Sequence, residues 1–96
     1  MILESFDTDV NFWKLHPQLK VPLPFASIYK EDKSKAKGKS SQIMWAIALL
    51  ADPDSKFSNV SYNTRKEMIA KDYLKDTKFD WAQYKEAIHF YETTLV

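Results

Sequence analysis

The chain has 96 residues, of which 45% are hydrophobic and 15% aromatic, with no cysteine, one glycine and a formal net charge of +1. A chain of this length fits one small domain, which buries about 60–65% of the surface that the unfolded chain exposes. The composition excludes disulfides and thiolate metal sites, and the single glycine argues against a β-rich fold with many tight turns. The N-terminal residues lack a basic region followed by a long apolar run, so no secretory signal is predicted.

Prolines divide the first third of the chain. Asp9 can cap a short helix, which must end before Pro17 because the residue that precedes a proline is pushed out of the helical region. Residues 19–24 alternate prolines with apolar side chains, which predicts an extended, polyproline-like arm that either lies over the core or serves as a ligand for another domain. Pro24 suits the first turn of a further helix, whose buried face would contain Phe25, Ile28 and Tyr29. We therefore assign residues 1–29 to an N-terminal arm with short helices.

A lysine-rich segment follows at residues 30–40, with five lysines against Glu31 and Asp32. Such a composition buries too little apolar surface to offset the entropy of ordering it, which predicts a mobile linker before a helical core at residues 41–96. Its lysines could also contact phosphates, although no arginine or aromatic side chain is interleaved among them to read or stack on bases. The candidate phosphate contacts are Lys33, Lys35, Lys37 and Lys39.

The central stretch, Ser40–Pro53, contains nine consecutive apolar residues from Ile43 to Ala51. We predict a helix with Ser40 or Ser41 as its N-cap and Asp52-Pro53 as its stop. Because this helix is apolar on all sides, it must be enclosed by other elements of the chain or by a partner. The run is about half of the roughly 20 apolar residues that a membrane span requires, which excludes a transmembrane helix.

Two further helices are predicted in the second half of the chain. Ser61 can cap a helix that runs to about Leu74, with Arg65 on its outer face. The last helix begins near Asp80 and carries apolar residues at alternating steps of three and four, at Trp81, Tyr84, Ile88, Tyr91 and Leu95. This seam either packs on the domain's own core or, since it is still running at Val96, docks on a partner. The fold class is therefore all-α: a small bundle of four to five short helices with an extended proline-containing N-terminal arm.

The sequence contains no pattern that assembles a catalytic site. Gly38-Lys39-Ser40 matches the end of a phosphate-binding loop, but Lys33 stands where that loop requires its first glycine and no strand precedes it. His16 and His89 are the only histidines, too few for a specific metal motif. These observations predict a protein that is not an enzyme and that uses no cofactor, metal or small-molecule substrate.

Several stretches together resemble a group of small proteins encoded by tailed bacteriophages, including crAss-like phages of gut Bacteroidetes. The resemblance covers roughly residues 25–91 and contains no catalytic signature. The matching residues are Phe25-Ala26 with Tyr29, Ser41 with Met44–Ile47, Asp52-Pro53 with Ser55, Arg65-Lys66, Ile69-Ala70, Asp72–Leu74 and Phe79–Trp81. The resemblance implies a phage protein built into the particle.

The combined expectation is a non-enzymatic structural or assembly protein of a tailed phage particle, located in the virion and assembled in the host cytoplasm. Its partners would be other phage structural proteins and possibly copies of itself, with no membrane contact. The predicted interface residues are Met44, Trp45, Trp81, Tyr84, Ile88, Tyr91 and Leu95. The alternative is a small nucleic-acid-binding or regulatory protein that uses the lysine-rich segment, with weak affinity.

Overall fold

A computed structural model describes residues 6–96, and helical segments, among them five α-helices, form most of this part of the chain. The α-helices are α1 (Phe12–Leu15), α2 (Leu23–Glu31), α3 (Gly38–Ala51), α4 (Tyr62–Met68) and α5 (Lys85–Phe90). Short 3-10 turns occupy Pro17–Lys20, Lys35–Lys37 and Trp81–Tyr84, and single π-helical turns continue α4 and α5 at Ile69–Tyr73 and Tyr91–Leu95. No strand occurs in residues 6–96. The predicted small all-α bundle of four to five short helices is confirmed. The expectation that the chain has no secretory signal concerns residues 1–5 in part, and these lie outside the described residues.

Helix α3 is the centre of the fold, as its apolar run predicts. All residues from Met44 to Leu50 are at most 3% exposed. Each of the other four α-helices packs against α3. The chain itself therefore encloses this helix, and no partner is needed to cover it.

The start of α3 differs from the prediction. The helix begins at Gly38, and neither Ser40 nor Ser41 caps it. Instead, their hydroxyls hold α1: Ser41 Oγ accepts a hydrogen bond from the Phe12 N–H at 2.8 Å, and Ser40 Oγ accepts one from Trp13 Nε1 at 2.9 Å. The predicted N-caps are thus buried links between two helices.

The first N–H groups of α3 are capped from outside the helix. Asp32 Oδ2 accepts a hydrogen bond from the Ser40 N–H at 2.6 Å, and Ser34 Oγ accepts one from the Lys39 N–H at 3.1 Å. Burial opposes the charged form of Asp32, but hydrogen bonds from Ser34 and Ser40 outweigh it and lower the pKa of this carboxyl. A carboxylate at a helix N-terminus also interacts favourably with the helix dipole.

The predicted lysine-rich linker is a tight connection between α2 and α3. These two helices run across the boundaries that we expected at residues 29 and 40. Lys37 Nζ donates hydrogen bonds to the backbone carbonyls of Tyr29 at 3.0 Å and Asp32 at 2.6 Å. These carbonyls lie at the C-terminal end of α2, where a cation interacts favourably with the last carbonyls and with the helix dipole. Local composition could not reveal these contacts with the preceding helix.

The predicted extended arm at residues 19–24 is also a correction. Leu19 belongs to a 3-10 turn and is 3% exposed, the chain bends at Val21 and Pro22, and α2 begins at Leu23. The φ angle of proline suits the first turn of a helix as well as polyproline conformation, so alternating prolines do not decide between the two. The predicted buried face of α2 is confirmed by Phe25 and Ile28.

Arg65 joins the second half of the chain to α3. We predicted an outward side chain, but its guanidinium donates hydrogen bonds to the carbonyl of Leu50 at 2.8 Å and to that of Val60 at 3.1 Å. The rigid fork of an arginine can satisfy several carbonyls at once. Arg65 therefore ties α4 to the C-terminal end of α3 and to the loop that follows it.

The only glycine does not occupy a position that needs glycine. Gly38 has φ −65° and ψ −37°, and a Cβ there would meet no atom within 4 Å, whereas Ala36 and Lys37 have positive φ angles of 56° and 57°. Gly38→Ala should raise the free energy of unfolding by about 0.5–1 kcal/mol, because alanine has less backbone entropy to lose. Ala36→Gly should raise it by a similar amount, about 0.5–1 kcal/mol, because glycine removes the left-handed strain. Urea denaturation measures both changes.

The matched control is Ala82→Gly, an exposed alanine in the helical turn Trp81–Tyr84. Glycine should destabilise the protein there, since alanine is favoured in helices. If Ala36→Gly lowered stability as much as Ala82→Gly, the left-handed backbone at residue 36 would be contradicted.

Candidate interaction site

The two central residues predicted as interface lie in the core. Met44 and Trp45 are both 0% exposed. Trp45 Nε1 donates a hydrogen bond to the Val10 carbonyl at 2.8 Å, and its ring meets that of Phe12 edge to face at 5.0 Å. The prediction that Met44 and Trp45 face a partner is wrong for the folded chain, because the protein's own helices cover both side chains.

The predicted seam of the last helix divides into a buried and a half-buried part. Ile88, Tyr91 and Leu95 are 5%, 0% and 9% exposed, so they belong to the domain's own core. Trp81 and Tyr84 are half-buried and keep some contact with solvent. Of the two alternatives for this helix, packing on its own core is therefore the one observed for the buried part, and Trp81 and Tyr84 remain candidates for contact with a partner.

A groove runs between α2 and the last helical stretch, and Tyr84 lies in it. It consists of two adjoining cavities of about 510 and 380 Å³, both lined by Ile28, Glu31, Gln83 and Tyr84. Phe79 stacks on Tyr84 with ring centroids 5.6 Å apart. Burial, followed by the charges of Glu31 and Asp80, raises the pKa of Tyr84, so its hydroxyl stays protonated at neutral pH and can donate a hydrogen bond. We refer to this feature as the groove.

An exposed apolar turn, Val21–Pro24, adjoins the groove. Val21 is 80% exposed and Leu23 is 77% exposed, the highest values among the large hydrophobic side chains of the described residues. Leu23 and Pro24 also line the smaller cavity of the groove. The turn and the groove thus form one continuous surface that combines apolar and charged side chains.

A second concave surface, which we call the basic cleft, lies at the junction of α1, the 3-10 turn Pro17–Lys20 and the segment before α3. Its volume is about 370 Å³. Residues from these three regions and α2 line it, among them Trp13, Lys14, Lys20, Tyr29, Ala36 and Lys37. The sequence gives no local sign of this cleft, because Lys14 and Lys20 are far along the chain from Lys37.

The structure does not bring the four predicted phosphate-contacting lysines to one surface. Lys33 and Lys39 line the larger cavity of the groove, whereas Lys37 lines the basic cleft. Lys35 is exposed. Lysines that are close along the chain therefore lie on different surfaces of the folded protein.

Neither histidine is placed for metal chemistry in the described residues. Within residues 6–96, no three acidic or histidine side chains are grouped so that they could hold a metal ion. His16 packs against the rings of Phe12 and Trp45, and burial lowers its pKa. His89 is exposed. Over the same residues, none of the helices has the length and apolar character needed to cross a membrane.

The chain was compared with protein-family models, with curated proteins and with solved structures, and none of these comparisons found a match.

Proposed function

We propose that this chain is a non-enzymatic structural or assembly protein that acts by binding another protein subunit. The observation that carries the proposal is the exposure of Val21 and Leu23 in the turn beside the groove. Burying each of these side chains against a partner would contribute about 1.5–3 kcal/mol. Single exposed apolar residues are ordinary, but two within three positions at the mouth of a groove offer a contact centre.

The lining of the groove indicates the chemistry of the partner. Tyr84 is half-buried, and tyrosine combines a large apolar ring with a polar hydroxyl, a combination enriched at protein interfaces. Glu31 and Glu86 lie at the groove with Lys33 and Lys39, so its rim carries both signs of charge. The partner that fits is a subunit segment with apolar side chains for Leu23 and Ile28, flanked by charged residues of both signs.

The setting of this proposal is the particle of a tailed phage or its assembly intermediate. It rests on the sequence resemblance of residues 25–91 to small tailed-phage proteins. The partner would then be a structural protein of the same particle, or a second copy of this chain.

The test is pairwise co-expression of this chain with each product of the neighbouring genes, together with sedimentation of the chain alone to detect self-association. We expect one structural gene product, or the chain itself, to bind, and the Val21→Ser/Leu23→Ser variant to weaken that binding at least tenfold. Both side chains are exposed, so the variant should keep the melting temperature of the parent.

The matched control is Tyr62→Ser, which removes a large aromatic ring that is 37% exposed and lies on α4, outside the groove. Binding should be unchanged in this control. The proposal fails if nothing binds, or if the bound subunit is lost equally from both variants. Replication genes, rather than portal, capsid and tail genes, beside the coding sequence would contradict the phage-particle setting.

The alternative predicted from sequence, nucleic-acid binding through Lys33–Lys39, has less support. Lys33 and Lys39 line the groove, whereas Lys37 lines the basic cleft on a different surface. The four lysines therefore do not form one continuous phosphate-binding surface.

A further inference from the structure

The basic cleft brings together three lysines that are far apart in the sequence. Lys14 from α1, Lys20 from the 3-10 turn and Lys37 from the segment before α3 all line it. No aspartate or glutamate belongs to its lining. The whole chain has a formal net charge of only +1, so this surface is strongly positive relative to the protein as a whole.

The walls of the cleft are held by contacts distant in sequence. Asn11 Nδ2 donates a hydrogen bond to the Ala36 carbonyl at 2.8 Å, while Asn11 Oδ1 accepts one from the Trp13 N–H at 2.9 Å. The Trp13 ring in turn meets Tyr29 edge to face at 5.0 Å. Thus α1, α2 and the segment before α3 form a fixed frame around the lysines.

The backbone that carries Lys37 is strained. Ala36 and Lys37 are consecutive non-glycine residues with φ angles of 56° and 57°. Such conformations are unfavourable for residues other than glycine, and they persist where surrounding contacts fix them. In this backbone conformation the Lys37 side chain lies in the cleft, with its ammonium at the C-terminal end of α2.

Two ammonium groups are already positioned before any ligand binds. Lys20 Nζ lies 5.0 Å and Lys37 Nζ 4.7 Å from the centroid of the Tyr29 ring. Lys37 uses two of its three N–H groups for backbone carbonyls, which leaves one for a ligand. Because side chains that are positioned in advance lose less entropy on binding, these cations favour an anionic ligand.

We propose that the basic cleft is a second binding site, which contacts the phosphate backbone of a nucleic acid without reading its sequence. Lysine is depleted at protein–protein interfaces, whereas interfaces with nucleic acids are strongly positive. Lysine ammoniums lie over the Tyr29 ring, and Trp13 is only 2% exposed, so neither ring offers a free face on which a base could stack. The contact is therefore with phosphates, and it is separate from the groove that carries the proposed function.

The test is fluorescence anisotropy of a labelled single-stranded oligonucleotide of mixed sequence, titrated between 50 and 200 mM salt. Three phosphate contacts give a slope of log K against log salt of about −2, which is about a twentyfold fall in affinity over this range. In Lys14→Gln/Lys20→Gln one contact remains, so the fall should be about threefold. Lys14 is exposed, and the single variant Lys14→Gln serves if the double variant has a lower melting temperature.

The matched control is Lys33→Gln/Lys39→Gln, which makes the same change in net charge on the groove. Its salt dependence should equal that of the parent. Absence of binding, an equal effect of the control variant, or equally tight binding of a poly-glutamate peptide at the same charge would each overturn the proposal. Loss of subunit binding in the Val21→Ser/Leu23→Ser variant has no bearing on the basic cleft, so failures of the two proposals can be told apart.

Discussion

Trp45→Ala is expected to lower the free energy of unfolding by about 3–5 kcal/mol, the range for truncating a large buried aromatic side chain. Trp45 is fully buried on α3, the helix against which all the others pack. The change opens a cavity, removes the edge-to-face contact with Phe12 and leaves the Val10 carbonyl without its Nε1 donor. Since small domains have a total stability of about 5–15 kcal/mol, the variant should be close to unfolding. Urea denaturation followed by circular dichroism measures the loss.

Trp81→Ala provides the matched comparison, because Trp81 is only half-buried. Its loss of stability should be clearly smaller than that of Trp45→Ala, since less surface is removed from water on folding. If Trp45→Ala folded as stably as the parent and lost only its binding to another subunit, Trp45 would be an interface residue, contrary to the structure.

The apolar run Ile43–Ala51 was enough to predict the centre of the fold, but not what covers it. A helix that is apolar on all sides has no polar face to mark where solvent lies. The chain's own helices and a partner subunit would satisfy the same pattern equally well. For this reason the burial of α3 could be predicted. The pattern could not show whether Met44 and Trp45 pack against the chain's own helices or against a partner.

The connection between α2 and α3 shows a second limit of sequence patterns. Rules for helix caps search within about three residues of the helix start, whereas Asp32 accepts the N–H of Ser40, eight residues further on. From the sequence, Lys37 is expected to be solvated, but its ammonium donates hydrogen bonds to carbonyls at the end of the preceding helix. The basic cleft has the same origin, because Lys14, Lys20 and Lys37 become neighbours only when α1 packs on the start of α3. Long-range contacts of this kind leave no periodic trace in the sequence.

Tyr91→Phe is expected to lower the free energy of unfolding by about 1.5–3 kcal/mol, the range for a buried hydrogen bond to a charged group. Tyr91 and Asp52 are both 0% exposed, and the Tyr91 hydroxyl donates to Asp52 Oδ2 at 2.6 Å. Phenylalanine keeps the ring packing but leaves this carboxylate oxygen without its tyrosine donor. The bond links the last helical turn to the end of α3, so urea denaturation should report a cooperative loss.

The pH dependence of stability distinguishes the loss of this hydrogen bond from a change in side-chain packing. Burial, then the hydrogen bond to Asp52 and the charges of Asp52 and Asp54, raises the pKa of Tyr91 above its usual value of 10.0. A raised pKa in the folded state gives stability that is fully present below pH 10 and is lost as the pH rises further. Tyr91→Phe should therefore lose less stability than the parent between pH 9 and pH 11.

Tyr62→Phe is the control for this comparison, because Tyr62 is 37% exposed. Its stability at neutral pH should lie within about 0.5 kcal/mol of the parent. Burial raises the pKa of Tyr62 as well, with Glu92 adding to it and Arg65 opposing it, so the full alkaline comparison requires both variants. The hydrogen bond to Asp52 would be contradicted if Tyr91→Phe matched Tyr62→Phe at neutral pH and kept the alkaline profile of the parent. The expected result instead establishes the Tyr91 hydroxyl as a polar link between the last helical turn and the C-terminal end of α3.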